Sequence, residues 1–205
     1  PRRMEGYEWN NYLPGDRSEL IWKETLGFSQ LPQVINPDAG FVLSANQTPF
    51  RVTHPSENPN QANYSPVHGF QLNMTNRANR GLELFESLLP ISRQEFFEIK
   101  HDKFYSKTTD YVTYLDKIRS ANFAEPLLQE AQAVISDWDL ATDQENLSAA
   151  LGTCVLLAAE RDDDREQHSD EQVESLLNKC AVRLMEARGS LNPRWGDVNR
   201  HVRGE

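Results

Sequence analysis

The sequence has little of what most site chemistries require. It holds only two cysteines, Cys154 and Cys180, too few for a thiolate metal site on their own. Its five histidines, His54, His68, His101, His168 and His201, show no ligand spacing such as HxxxH. No metal is therefore expected. There is no P-loop and no GxGxxG, which removes the usual phosphate-cradling loops, and no GxSxG elbow for a serine nucleophile. No cofactor is expected either. Apolar runs stay well short of the roughly 18 residues that cross a bilayer, so no membrane partner is expected. The opening stretch Pro1-Arg2-Arg3-Met4-Glu5-Gly6 lacks the apolar core of a signal peptide, which says nothing about the compartment. Positive charge is also scarce: 21 Lys and Arg stand against 31 Asp and Glu, for a net charge of −10. A nucleic acid needs a basic footprint to displace its counterions, and these cations are scattered, so nucleic acid is excluded as a partner.

What is present falls into three parts. Residues 1–73 are dense in Pro, Gly and Asn and sustain no helical stripe. Short extended segments are expected there at Leu20-Ile21-Trp22 and Phe41-Val42-Leu43. Residues 54–66, HPSENPNQANYSP, read as a long surface excursion of the kind that is usually functional or mobile. Residues 74–188 read as a helical domain with legible starts. Ser92…Glu95 forms a capping box with Ile91 and Phe96 as a hydrophobic staple, and Asn122…Glu125, Thr142…Glu145 and Ser169…Gln172 have the same form. Apolar stripes at helical spacing follow these caps: Tyr111, Tyr114, Leu115, Ile118; Leu127, Leu128, Ala131, Val134, Ile135, Trp138; Leu147, Ala150, Leu151, Cys154, Val155, Ala158; and Val173, Leu176, Leu177, Cys180, Leu184. Gly189 is a natural C-terminal stop. Residues 189–205 form an exit segment carrying WGDVNR. The fold class expected is mainly α: a helical bundle behind a small irregular or β-containing front.

Two places carry possible chemistry. The stretch NPDAGFVLSANQTPF runs from a turn through an apolar triplet to Asn46. Asn is common wherever a chain turns, but an amide at the end of a buried segment can also stabilise an oxyanion. Arg77 and Arg80 lie in the first turn of an expected helix, where cations oppose the helix dipole. They either pair with Glu83 or Glu86 or answer to another partner. The acidic run Arg161–Glu166 reads as a solvated inter-helix loop; it has no glycine for a calcium turn.

In order along the chain, LPGDRSELIW (13–22), LPQVINPDAGFVLSANQTPF (31–50), NRANRGLELFESLL (76–89), HDKFYSKTTDY (101–111), SDWDLATD (136–143) and LNPRWGDVNRHVRG (191–204) resemble the penicillin acylase family of N-terminal nucleophile hydrolases. That family includes penicillin, cephalosporin, aculeacin and acyl-homoserine lactone acylases. The resemblance implies the middle of a β subunit from an αββα enzyme that hydrolyses a linear acyl amide without a cofactor. Its nucleophile would be an N-terminal serine with its own α-amino group as base, lying outside these residues, so the isolated chain should be inactive. Its partners would be the α subunit, the rest of the β subunit and a small acyl amide. Asn46 matches the family's oxyanion asparagine, and Arg77 its active-site arginine. Arg80 would be supporting. Only Glu57 is acidic between 47 and 76, so calcium is not implied. A periplasmic or secreted location would follow. The rival reading is a non-catalytic helical interaction or scaffold domain of the same ancestry.

The cysteines lie at equal distances from the loop near residue 167, so an antiparallel hairpin would bring them together, buried. Export to an oxidising space would favour a disulfide; two free thiols are the other possibility.

Overall fold

Helix formation begins where the sequence changes character. The computed structural model describes residues 3–87, 90–160 and 167–200, apart from the side chains of residues 87, 110 and 111. The Tyr111 side chain, the acidic run 161–166 and His201 lie outside what is described. The chain forms two compact units, Pro1–Ile99 and Lys100–Glu205.

In the first unit, five short 3₁₀ helices precede a single long helix: Ser18–Leu20, Phe28–Gln30, Pro55–Glu57, Gln61–Asn63 and Pro66–His68 come before α1, Asn76–Ser87. No β-strand is present among the described residues, so of the two forms expected for the front, irregular or β-containing, it takes the irregular one. Leu20 ends a 3₁₀ turn, and Ile21 and Trp22 are exposed. The triplet 41–43 is buried, exposed and half-buried in turn, the alternation of an extended chain. It has only fragmentary pairing, since Leu43 N–H donates to Val52 O (2.7 Å) and Thr53 Oγ1 to Phe41 O (2.8 Å). A strand is defined by a continuous ladder, and the Pro-rich stretch that follows supplies none.

A small core holds this unit together. Phe41 stacks on Phe85 of α1 with ring centroids 5.4 Å apart, and Leu82 and Ala78 of α1 are buried, as is Phe50. The long excursion 54–66 is ordered by its own side chains. The Asn58 amide accepts from Val52 N and Thr53 N and donates to Thr53 O and His54 O, doing the work of a turn's backbone bonds. The Ser92 capping box opens α2, Arg93–Lys100: Ser92 N donates to Glu95 Oε2 (2.7 Å) and Glu95 N to Ser92 Oγ (3.2 Å). These bonds hold the exposed Glu95 carboxyl below its ordinary range. Phe96 remains half-exposed.

The second unit is a bundle of α3 (Asp110–Ser120), α4 (Pro126–Ser136), α5 (Ala149–Glu160) and α6 (Asp170–Arg188), closed by the short α7 (Trp195–Val198). The apolar stripes meet here. Leu115, Ile118, Ile135, Leu151, Val155, Leu156 and Leu177 are fully buried. Leu147 is exposed, because it precedes the helix it was expected to join. Helix α5 lies at the centre, buried on nearly every side, and Gly152 sits where the six-membered ring of Trp138 would meet any β-carbon. The Ser169 capping box forms as expected, and Gly189 ends α6 with φ +69°. Gln132 Nε2 donates to Ile118 O and Ala121 O, satisfying carbonyls at the end of α3.

Two helix starts differ from expectation. Helix α4 begins at Pro126, not after Asn122, because proline is pre-organised for the first helical position and disfavours helix in the residue before it. Helix α5 begins at Ala149, not after Thr142. Thr142 donates through N–H (2.9 Å) and Oγ1 (2.7 Å) to Lys103 O, beside the isolated bridge Phe104–Ala141. The turn into α5 is capped by Asn146, whose Oδ1 accepts from Ser148 N and Ala149 N. The WGDVNR element docks on that same turn: Trp195 N donates to Asn146 O and Gly196 N to Gln144 O, each 2.9 Å. A side chain at Gly196 would strike Gln144, so the close approach needs glycine.

Candidate active site

Asn46 sits at the end of the extended segment with φ +61°, in the left-handed region that Asn tolerates better than most residues. The side chain of its neighbour Gln47 fixes the turn. Gln47 Oε1 accepts from Ala45 N (2.5 Å), while Nε2 donates to Leu43 O (2.9 Å) and Arg51 O (3.3 Å). On the far side, Thr48 N donates to Asn73 O (2.9 Å). The backbone on both sides of Asn46 is thereby held.

Helix α1 reaches this turn through its first residues. Thr75 Oγ1 accepts from Ala78 N (3.1 Å), as an N-cap does, and donates to Ala45 O (3.0 Å). Leu43 packs against Gly81 so closely that a β-carbon there would lie 2.7 Å from Leu43 Cδ2. Thr75 and Gln47 were not singled out from sequence. Thr75 carried half a signal, a hydroxyl residue three positions before the end of a helical first turn, without the Glu or Gln that completes a capping box.

Arg77 projects from that first turn, and its Nη2 donates to Asn46 Oδ1 at 2.8 Å across 31 residues. The contact fixes the amide's orientation. A guanidinium can only donate, so the Asn46 atom facing it is the oxygen, and the amide nitrogen points away. No partner for Asn46 Nδ2 is found among the described residues, and the side chain is exposed. The arrangement is an amide donor held by a cation on its acceptor side, with its N–H groups open. Such a donor suits a developing negative charge.

Arg80 is separate from this pair. It forms an ion pair with Glu83 (3.2 Å) one turn along α1. Glu57 binds backbone: its carboxylate accepts from Asp38 N (2.5 Å) and Ala39 N (2.9 Å), pinning the turn that precedes the apolar triplet. No cluster of three or more metal-ligating side chains occurs among the described residues.

A family model described as penicillin amidase matches residues 1–203, nearly the whole chain. The chain belongs to the penicillin amidase family. The match runs through both compact units and includes the Asn46 turn, α1 and the WGDVNR element. Membership supports an acylase-type hydrolase acting on amide bonds.

Proposed function

We propose that Asn46 is the oxyanion donor of an N-terminal nucleophile acylase that hydrolyses linear acyl amides, and that Arg77 orients it. The observation that carries this reading is the Arg77–Asn46 hydrogen bond, which leaves the amide N–H groups unused. As a serine hydroxyl attacks the amide carbonyl, its π electrons move onto oxygen. A fixed N–H donor stabilises that oxygen most when the charge is fully developed. The guanidinium withdraws electron density from the Asn46 carbonyl and so strengthens its N–H groups as donors, as charge-assisted chains of hydrogen bonds do.

In this reading the serine and its α-amino base come from outside residues 1–205, with the remainder of the acylase as partner. Proton transfer from the hydroxyl to that amine, then from the amine to the leaving nitrogen, completes acylation; water repeats the sequence to release the acid. The test is steady-state kinetics of the complete self-processed enzyme on a panel of acyl amides. Asn46→Ala should fold and lower kcat by about 10²- to 10³-fold, with KM little changed. Near-normal turnover would remove Asn46 from the chemistry. Amide hydrolysis by residues 1–205 alone would overturn the placing of the nucleophile.

A further inference from the structure

Two thiols of the helical unit take no part in the amide chemistry proposed above. Cys154 on α5 and Cys180 on α6 line one cavity of about 540 Å³. Both are free thiols, one on each of two helices that pack together. They are not equivalent: Cys180 is buried in the core, while Cys154 is half-exposed towards the cavity, so the expectation of two buried thiols holds only for Cys180. Leu157 and Trp195 give the cavity apolar walls, and Lys179, Arg183 and Arg188 of α6 line it with positive charge. No carboxylate lines it among the described residues.

We propose that Cys154 is a thiol-modification site that accepts an anionic, low-molecular-weight disulfide, and that Cys180 resolves the adduct. The Cys154 thiolate attacks one sulfur of the incoming R–S–S–R; that S–S bond breaks and R–S⁻ leaves, giving a mixed disulfide on Cys154. Cys180 then loses its proton to water, its thiolate attacks the Cys154 sulfur, and the second R–S⁻ leaves. The two protein thiols are oxidised to one disulfide, and the incoming disulfide is reduced to two thiols.

The order of attack follows first from access, since Cys154 opens to the cavity while Cys180 is buried. The hydrogen bond from Cys180 lowers the Cys154 thiol to about 7; burial opposes this, and the Arg183 charge assists it. The same hydrogen bond, with burial and the charge on Cys154, pushes the Cys180 thiol up. Once Cys154 is capped it carries no charge, so the negative charge that held the proton on Cys180 is gone. Lys179, Arg183 and Arg188 favour an incoming molecule that bears carboxylates.

The test uses the native 205-residue chain, reduced and freed of small thiols, with dithiobis(nitrobenzoate) as the anionic disulfide and dithiodiethanol as a neutral one. The proposal expects two chromophoric thiols released per chain, and a final mass lower by two hydrogens with no adduct retained. The initial rate should rise as pH passes through about 7. Cys180→Ser should release one thiol and keep the adduct on Cys154. Arg183→Ala should slow the anionic reagent roughly tenfold more than the neutral one, the low end of electrostatic steering. Adducts retained by the wild-type chain, or no reaction until it is denatured, would overturn the proposal without any variant having to fold. An equal effect of Arg183→Ala on both reagents would overturn the preference for an anion.

Discussion

The Thr75 hydroxyl joins two segments: it accepts from Ala78 N at the start of α1 and donates to Ala45 O, the carbonyl adjoining Asn46. One side chain thus ties the helix that carries Arg77 to the turn that carries Asn46. Thr75→Val keeps the shape and removes both bonds. It should destabilise the chain by about 1–2 kcal/mol, the combined loss of an N-cap and a hydrogen bond. Thr75→Ser should restore most of that. Urea denaturation midpoints read the difference, and a Val variant as stable as wild type would mean that the link carries no load.

Gly152 faces Trp138, whose indole is buried and fixed by donation from Nε1 to Ala141 O (2.8 Å). A β-carbon at Gly152 would lie 2.2 Å from the ring, and the ring cannot withdraw without breaking that bond. Alanine normally favours a helix over glycine by about 1 kcal/mol. Here Gly152→Ala should instead destabilise by about 1–3 kcal/mol, as overpacked cores do. Thermal unfolding followed by tryptophan fluorescence decides the sign.

The helix caps offer a graded comparison. Ser169→Ala removes the bond from Gln172 N and should lower stability by about 1 kcal/mol. Asn146→Ala removes one acceptor serving two backbone N–H groups at the start of α5, and loses the Nδ2 donation to Asp139 as well. It should lower stability more than Ser169→Ala. If chemical denaturation ranks them the other way, the turn at 146–149 is not what holds α5 in place.

These particulars show how far the sequence could be read. The Ser92 and Ser169 boxes and the Gly189 stop were legible because each is a local bond whose partners lie within four residues. The start of α4 was misplaced because Asn122 is a good cap by composition, while Pro126 decides the backbone of Glu125. The start of α5 was misplaced because Thr142 spends its hydrogen bonds on Lys103, 39 residues away, which no local pattern reveals. The apolar triplet at 41–43 takes an extended, strand-like course, but pairing depends on partners outside it. Asn46 and Arg77 were marked by motif resemblance; their contact spans 31 residues and has no local signature. Gln47 left no trace in the pattern, since glutamine is ordinary in any loop.

The most direct measurement of the central claim is a double-mutant cycle on kcat in the complete, self-processed enzyme, using Asn46→Ala, Arg77→Ala and the pair. Arg77 is 2.8 Å from the Asn46 oxygen and is proposed to act through it. Alone, Arg77→Ala should lower kcat by roughly 10- to 100-fold, as other residues that orient a catalytic group do. In the Asn46→Ala background that loss should vanish, leaving the double variant near Asn46→Ala itself. Losses that simply multiply would show the two residues acting independently, and would contradict the oriented-amide account of this site.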